Sequence, residues 1–311
     1  MQTQKTLLIG NFGAKNLGDE LILAFALENE KNNVIIMTVS GDFSQHFCEK
    51  SFQTVSFFPT GFRSFYRFLT NKSYRKEILL LREEVEEIVF PGGGLFAISF
   101  RAVWLWFIVF LWVKYLFKEK KVRFEYQGID ANLGFFSRFL IKQVFSRVER
   151  VSVRDEVSAQ AIESLSINGL KIKIEEDLVF EQLRERTGVN EEVEKTPILL
   201  LNALSEFSID KWEDIEYKFS KLEKVFVCFD PKDKQFLPEG FSGRILFPKT
   251  KTDLFKLFVQ AKTVIGERLH FLILGQYFCG SKQTFSLKDP YSQKVKNFCR
   301  EKNINVFKGK R

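Results

Sequence analysis

Two arginines and one histidine follow short apolar runs that read as buried strands, where a side chain can meet a ligand. Arg154 comes directly after the run VSV, and Arg268 and His270 follow the run TVIG. A guanidinium at such a place can grip a carboxylate or a phosphate through two parallel hydrogen bonds. The alternative for Arg154 is a salt bridge to Asp155 or Asp177, and the alternative for His270 is a structural role. The chain has only 2 histidines, and this one stands two residues from an arginine, which favours a functional site.

Two glycine-rich segments also follow predicted strands. Residues 10–20 read GNFGAKNLGDE and open the first predicted helix, and residues 91–94 read PGGG. Glycines allow positive φ and close approach of a ligand, and a helix N-terminus attracts anions. Neither segment is a GxGxxG or a GxxxxGK motif, so the pattern does not predict nucleotide binding. The alternatives are a tight turn whose Asp19 merely caps the helix, and a tight turn at the three glycines.

The remaining composition limits the classes of function. Lys+Arg 47 against Asp+Glu 39 gives a net charge of +8, which favours anionic partners such as phosphorylated metabolites or an acidic membrane surface. The basic residues form no stripe and no groove-reading motif is present, so nucleic-acid binding is not expected. The 4 cysteines are far apart and form no CxxC pair, so no metal site is predicted and a reducing compartment is favoured. No signal-peptide pattern follows the start, which predicts a cytoplasmic protein.

Short apolar runs alternate with helical patterns along all 311 residues. This alternation predicts βαβ units and parallel sheets. The predicted fold class is α/β, with two Rossmann-like domains at residues 1–180 and 195–311 that face a cleft. The charged stretch 181–195 is interpreted as the crossing between them. Ligands of such sheets bind beyond the carboxyl ends of the strands.

One segment, residues 102–117, reads AVWLWFIVFLWVKYLF and is apolar except for one lysine. Sixteen helical residues span roughly 24 Å, which is less than the hydrocarbon core of a bilayer. The first interpretation is a helix buried in a large α/β domain. The second is a helix that faces the membrane, because its flanks are basic and tryptophan and tyrosine prefer membrane interfaces. The third is a true membrane span. The second interpretation makes a peripheral location at the inner face of the membrane an option.

In their order along the chain these motifs resemble the polysaccharide pyruvyl transferase family. Residues 10–20 match its G-x-x-G-x-x-N-x-G-D-E segment, residues 92–94 its GGG, residues 151–158 its V-S-x-R-D-x-x-S, and residues 266–273 its G-x-R-L-H-x-L-I. The family's Q-G-I-G-P segment is matched only as QGIDA at residues 127–131. The resemblance implies a fold like the GT-B glycosyltransferases and transfer of pyruvate from phosphoenolpyruvate to a hexose. The product is a ketal on a cell-surface polysaccharide or on its lipid-linked precursor.

The resemblance also implies roles for single residues. Arg154 and Arg268 take the carboxylate and the phosphate of phosphoenolpyruvate, and His270 protonates its methylene carbon. Asp19, or Glu20 in its place, accepts the proton of the attacking hydroxyl. The other matched positions are expected to bind substrate: Asn16, Gly18, Gly93, Gly94 and Gln127. The scheme needs neither a metal nor a cofactor.

Two rival functions and one geometric condition accompany this interpretation. The rivals are a GT-B-like glycosyltransferase that uses a nucleotide sugar, and a non-catalytic, membrane-associated factor for glycan assembly. The condition concerns Arg268 and His270, which would lie roughly 200° apart if both stood inside one helix. They can share a ligand only if the helix begins after Arg268 or if the ligand lies over its first turn.

Overall fold

The computed structural model describes residues 5–30, 33–96, 99–186, 196–206, 208–290 and 293–308. These residues form two compact units. The N-terminal unit takes the described residues among 1–14, 22–45 and 50–178, and the C-terminal unit takes 15–21, 46–49 and the described residues from Val179 onward. The C-terminal unit therefore includes the start of the first helix. Most of the predicted crossing, residues 187–195, lies outside the described residues.

The N-terminal unit is built on one parallel sheet. Its strands, in chain order, are β1 Lys5–Ile9, β2 Asn33–Thr38, β3 Gln53–Ser56, β4 Val85–Phe90, β5 Gly93–Phe96, β6 Lys121–Ile129, β7 Arg150–Val153 and β8 Lys171–Ile174. The spatial order is β3-β2-β1-β4-β6-β7-β8, and β5 pairs with β6. The inner strands β1 and β4 end in short, buried apolar runs, as expected of strands that are covered on both faces.

Helices connect these strands. They are α1 Leu17–Asn29, α2 Gly41–Cys48, α3 Phe62–Thr70, α4 Lys72–Glu84, α5 Phe100–Leu116, α6 Phe135–Phe145 and α7 Glu156–Glu163. The core between the sheet and α5 and α6 is aromatic: Phe90 stacks on Phe124 at 4.3 Å between ring centroids, and Phe145 meets Phe124 edge-on at 5.3 Å. Helices α3 and α4 are absent from the sequence prediction, although Phe62, Phe65, Tyr66 and Leu69 stand at helical spacing in this segment.

The C-terminal unit holds a second parallel sheet. Its elements are α8 Leu178–Glu185, β9 Ile198–Leu201, α9 Ile209–Lys218, β10 Glu223–Val227, a 3-10 helix Pro231–Phe236, β11 Arg244–Leu246, α10 Lys251–Gln260, β12 Thr263–Gly266, α11 Leu269–Cys279, β13 Thr284–Ser286, α12 Gln293–Glu301 and β14 Asn305–Val306. The strand order is β11-β10-β9-β12-β13-β14. Two parallel sheets with connecting helices confirm the predicted α/β class.

The predicted loop at the three glycines is wrong in part. Gly92 and Gly93 have φ of 124° and 100°, which side chains rarely adopt, and the chain turns there. Strand β5 then begins at once, with Gly93 opposite Gln127 and Phe96 opposite Ile129. Gly93 and Gly94 therefore lie in a short strand, because the extended β6 offers an edge for pairing beyond the end of β4.

Helix α5 contains the apolar segment 102–117. One side of the helix packs into the core, through Val103, Trp106, Val109, Phe110 and Val113. Trp112 donates a hydrogen bond from Nε1 to the carbonyl of Pro59 at 2.7 Å, which fixes the helix to the loop before α3. Among the described residues no helix is both long enough and apolar enough to cross a membrane. The buried residues of α5 make its inward side a part of the core.

The face of β6 that points away from α5 and α6 is polar. The Arg123 guanidinium contacts three carboxylates, those of Glu30 and Glu87 at 2.9 Å and that of Glu125. Residues of this network line a cavity of about 740 Å³, which none of the predicted site residues lines. Burial raises the pKa of Glu125 more than the charge of Arg123 lowers it. For Glu87 the hydrogen bond and charge of Arg123 outweigh burial, so its pKa is lowered.

These opposite shifts predict opposite effects of two matched substitutions. Glu87 binds its proton less tightly in the native state, so it stabilises the fold above its ordinary pKa and this contribution is lost as the pH falls. Glu125 binds its proton more tightly in the native state, so its ionisation costs stability as the pH rises. We expect Glu87→Gln to lower the free energy of unfolding at neutral pH by about 1 kcal/mol, a value reduced by solvent screening.

Glu125→Gln should leave the free energy of unfolding unchanged or raise it. Urea unfolding at neutral pH and at about pH 4 measures both, and the deficit of Glu87→Gln should shrink at the acidic pH. Equal losses from the two substitutions at neutral pH would contradict this assignment.

Candidate active site

The predicted site residues of the N-terminal unit meet at the carboxyl ends of β6 and β7. Gln127 and Gly128 lie near the carboxyl end of β6, and Arg154 directly follows β7. The backbone N–H of Arg154 donates to the carbonyl of Gln127 at 3.3 Å. Gly93 pairs with Gln127 from the other side. The structure thus brings Arg154, Gln127 and Gly93 together, with Gly94 as the exposed next residue of β5.

Three polar side chains of residues 152–158 hold β6 against β7 and α7. The hydroxyl of Ser152 accepts from the backbone N–H of Tyr126 at 2.8 Å. This bond supports a bulge at Tyr126, whose φ is 50°. Asp155 caps α7 by accepting from the N–H of Ser158 at 2.7 Å, and the Ser158 hydroxyl accepts from the N–H of Ile129 at 2.9 Å. The motif residues therefore fix the end of β6 beneath Arg154.

The guanidinium of Arg154 occupies space that a side chain at position 128 would fill. A Cβ on Gly128 would lie 2.0 Å from Nη2 of Arg154. The arginine side chain is 5% exposed, and two carboxylates lie near it, Asp155 at 3.6 Å from Nε and Asp177 at 3.6 Å from Nη1. Both salt bridges that the sequence left open are thus present, at distances longer than a good hydrogen bond. Among the described residues, Nε of Arg154 has no hydrogen-bond acceptor.

Gln127 is a buried side chain with a structural role and spare capacity. Its amide nitrogen donates to the carbonyls of Phe90 and Glu125, both at 2.9 Å. Its Oε1 is buried, and no donor for it lies in the part of the chain that the structure describes. The glutamine therefore ties β4 to β6, and one acceptor atom remains for another group.

The remaining predicted residues lie in the C-terminal unit, which includes the first turn of α1. The side chain of Asn16 accepts from the N–H of Gly18 at 3.1 Å, and its carbonyl accepts from the N–H of Asp19 at 3.0 Å. The N–H of Leu17 donates to the carbonyl of Phe229, just after β10, at 2.7 Å. Asn16 thus starts α1, and the helix start is anchored beside the carboxyl end of β10.

Arg268 is the residue immediately before α11. Its backbone is extended, with φ −80° and ψ 136°, and the helix runs from Leu269. The condition that the sequence set for a shared ligand, a helix that begins after Arg268, is met. The guanidinium donates from Nε to Asp233 at 2.8 Å and from Nη2 to the other oxygen of the same carboxylate. This two-point contact fixes the orientation of the guanidinium plane.

Asp233, in the 3-10 helix after β10, is completely buried. Besides Arg268, it accepts from the backbone N–H of Phe229 at 2.9 Å and of Asp230 at 3.1 Å. The side-chain amide of Asn202, which follows β9, also donates to it at 3.1 Å. The carboxylate therefore joins the ends of β9 and β10 to the arginine that follows β12. Burial and the nearby Asp233 raise the pKa of Cys228 to about 11, so this neighbouring thiol stays protonated.

His270 lies in the first turn of α11 and packs on the start of α1. A Cβ on Gly18 would lie 2.3 Å from Nδ1 of His270, so only glycine leaves room for the ring. His270 is partly exposed, as is Asp19, whereas Glu20 is completely buried. The two sequence motifs that lie some 250 residues apart, GDE and RLH, are therefore neighbours in one unit.

Glu267, between β12 and Arg268, has a structural role. Its carboxylate accepts from the N–H of Leu204 at 2.5 Å, and the Lys288 ammonium lies 3.3 Å from it. It therefore connects the loops after β9 and β13. Sequence reasoning missed Asp233 and Asn202, although both follow predicted strands. The available signal was a carboxylate two residues after the segment FDP at residues 229–231, together with an arginine in a second motif at a strand end.

Comparisons with known proteins give the family. The sequence model of polysaccharide pyruvyl transferase matches residues 16–275. The chain belongs to the polysaccharide pyruvyl transferase family. The matched segment contains all of the predicted site residues, from Asn16 to His270. No curated protein matches the chain.

Solved structures show the fold of this family member. UDP-GlcNAc 2-epimerase from Methanocaldococcus jannaschii has a TM-score of 0.57 and 12% identity, covering 98% of this chain and 89% of that one. UDP-GlcNAc 2-epimerase from Neisseria meningitidis, bound to UDP-GlcNAc, has a TM-score of 0.59 and 10% identity, covering 98% and 88%. Anabaena HepE, in complex with UDP and glucose, has a TM-score of 0.52 and 11% identity, covering 97% and 90%. The chain therefore has the GT-B fold that the resemblance implied.

The Asp233 carboxylate yields a prediction for stability. Asp233→Asn removes the charge opposite Arg268 and leaves one oxygen for five N–H donors. Breaking a buried ion pair in this way costs about 3 kcal/mol, and more where backbone donors lose their acceptor. We expect a loss of about 3 kcal/mol in the free energy of unfolding, measured with urea.

Glu239→Gln, which removes one exposed carboxylate from the loop after the same 3-10 helix, is the matched control. It should change the free energy of unfolding by less than about 0.5 kcal/mol. If Asp233→Asn were as mild as the control, Asp233 would not hold the site together.

Proposed function

We propose that this protein transfers the pyruvyl group of phosphoenolpyruvate to two hydroxyls of a hexose, which closes a cyclic ketal. The hexose belongs to a cell-surface polysaccharide or to its lipid-linked precursor. One observation carries the proposal: Arg268 is fixed by Asp233 directly before α11, and His270 stands in the first turn of the same helix against Gly18. An oriented guanidinium beside an imidazole suits a substrate that is both an anion and a base at carbon.

Anion binding is the first demand of this substrate. Phosphoenolpyruvate carries a carboxylate and a phosphate close together, so two arginines are a reasonable minimum. Arg268 presents a guanidinium whose plane Asp233 holds, and Arg154 has an Nε without an acceptor among the described residues. We assign one of the two anions to Arg268. Fixed donors of this kind also stabilise charge that develops during the reaction.

Proton transfer to carbon is the second demand. In the proposed scheme His270, as imidazolium, gives a proton to the methylene carbon, and the double bond's electron pair forms the new C–H bond. A hydroxyl of the hexose then bonds to the central carbon and gives up its proton to a base. The C–O bond to phosphate breaks, the second hydroxyl adds, and its proton returns to the imidazole. The protonated base gives its proton to the departing phosphate, inorganic phosphate leaves, and the scheme uses no metal or cofactor.

Asp19 is the better candidate for the base. The sequence left Asp19 and Glu20 open, and both stand in the first turn of α1. Glu20 is completely buried, whereas Asp19 is partly exposed and directly follows the glycine on which His270 packs. Exposure to an incoming hydroxyl favours Asp19. General acid–base catalysis of this kind contributes about 10²–10⁴-fold to the rate.

Thermal unfolding with phosphoenolpyruvate tests the assignment of the donor. Ligand at about 100 times its dissociation constant stabilises a protein by roughly 2.7 kcal/mol, which shifts the Tm by a few degrees. We expect this shift in the wild type and in His270→Ala. We expect its loss in Arg268→Lys, because a lysine ammonium cannot make the two-point contact with Asp233 and bind the ligand at the same time. His46→Ala replaces the other histidine of the chain, which is exposed, and is the matched control.

The same measurement with UDP-GlcNAc separates the rival function. A shift with UDP-GlcNAc and none with phosphoenolpyruvate would replace the proposal by glycosyl transfer with a nucleotide sugar. No shift with either ligand, repeated in the presence of the glycan acceptor, would argue for a non-catalytic role.

The glycine beneath His270 gives a test of its chemical role. In Gly18→Ala the new methyl group would stand 2.3 Å from the imidazole, so the ring must move. We expect turnover to fall by about 10²-fold or more, as after loss of a general acid, while the phosphoenolpyruvate-induced Tm shift stays. Gly134→Ala is the matched control, because its Cβ would meet nothing within 4 Å. Unchanged turnover in Gly18→Ala would exclude His270 as the acid in its present position.

A further inference from the structure

The outward faces of three helices of the N-terminal unit are unusually apolar. Helix α3 has no buried residue, and Phe62, Phe65, Tyr66 and Leu69 form one exposed stripe along it. Phe62 is 98% exposed. The outward side of a surface helix normally carries polar residues, so this stripe lacks the usual solvation.

Helices α5 and α6 continue this pattern. The outward residues of α5 include Trp104 and Tyr115, which are exposed, with Ile108 and Leu111, which are half-buried, between them. On α6 the exposed residues are three phenylalanines and a lysine: Phe135, Phe136, Phe139 and Lys142. Scattered exposed apolar residues need no explanation, but a set on three neighbouring helices marks an interaction surface.

Ring contacts join the three helices into one surface. Phe100 of α5 and Phe136 of α6 lie 6.3 Å apart between ring centroids, edge to face. Exposed Phe65 of α3 stacks on half-buried Phe68 at 6.5 Å, and Phe68 meets half-buried Trp112 of α5 edge-on at 5.1 Å. The exposed apolar residues therefore form one basic-aromatic face, defined by the outward residues of α3, α5 and α6.

The three helices that carry this face have charges of one sign. Helices α3, α5 and α6 contain no aspartate or glutamate, and their six charged residues are basic: Arg63, Arg67, Arg101, Lys114, Arg138 and Lys142. Basic residues that interleave with tryptophan, tyrosine and phenylalanine are typical of segments that lie in a membrane interface. Anionic headgroups attract the cations while the rings enter the boundary of the acyl chains.

We propose that the basic-aromatic face binds the surface of an anionic lipid bilayer and holds the protein there peripherally. The proposal does not depend on the chemistry of the active site. It replaces the idea that helix α5 alone meets lipid, because the inward side of α5 is core and α3 and α6 supply most of the exposed rings. The occupant is a lipid surface and not a second copy of the chain, because a symmetric pairing would oppose two surfaces of the same positive charge.

Vesicle flotation with the full chain tests the proposal. Vesicles of phosphatidylcholine alone are compared with vesicles in which about a quarter of the lipid is phosphatidylglycerol. We expect binding to the anionic vesicles only, and its decrease with added salt. Each basic residue at an anionic surface multiplies the affinity about fivefold, so Arg63→Gln/Arg67→Gln should lower the partition coefficient about 30-fold. Tyr66→Ser/Leu69→Ser should lower it about tenfold or more, because these side chains no longer bury apolar area.

Matched controls use exposed residues of the C-terminal unit. Lys282→Gln/Lys296→Gln removes the same charge, and Ile209→Ser/Tyr217→Ser removes similar exposed apolar side chains. Both should bind as the wild type does. Absence of flotation, equal flotation with neutral vesicles, or equal losses in the control variants would overturn the proposal. A dimer in solution without lipid, which Tyr66→Ser/Leu69→Ser converts to monomers, would assign the face to a second copy instead.

Discussion

The buried carboxylate of Asp233 is the group on which the candidate site of the C-terminal unit depends. A buried charge is stable only if hydrogen-bond donors surround it. Here the donors come from three strand ends: two backbone N–H groups after β10, an amide after β9 and a guanidinium after β12. Each donor is therefore held in place by the same anion. Arg268 is positioned before any ligand arrives, so less conformational entropy is lost on binding.

Two glycines, which have no Cβ, are the second constraint on the candidate site residues. His270 packs where Gly18 has no Cβ, and Arg154 packs where Gly128 has none. In both units a cationic or ionisable side chain thus lies on bare backbone at the end of a parallel sheet. This explains why the motif around residue 127 keeps its Gln-Gly pair although the residues after it, Asp130 and Ala131, depart from the family pattern. Gly128 leaves space for the guanidinium of Arg154, and this role does not depend on the residues after it.

The sequence predicted the parts of this structure that depend on local pattern. Alternating strands and helices gave two parallel sheets, and strand ends gave the positions of Arg154, Arg268 and His270. The sequence could not show that Asp233 meets Arg268, because a pairing across 35 residues leaves no periodic trace. It also could not show that Gly93 enters a strand, since only the length of β6 creates that edge. For Arg154 the sequence predicted both acidic neighbours, but it could not show whether they accept hydrogen bonds from all of the guanidinium N–H groups.

Helix α5 shows why an apolar sequence alone does not tell core from interface. Its residues are apolar on all sides, so periodicity, which normally identifies the inward face, is lost. The structure separates the two sides of α5, because it shows which residues the sheet covers. The exposed aromatic side chains on the other side then need a separate explanation. An acceptor attached to a lipid moves in two dimensions, and an enzyme held at the same surface meets it at a much higher local concentration than in bulk water. The two proposals, membrane binding through the basic-aromatic face and a lipid-linked hexose as acceptor, therefore support each other, because both place the protein and the sugar at the same surface.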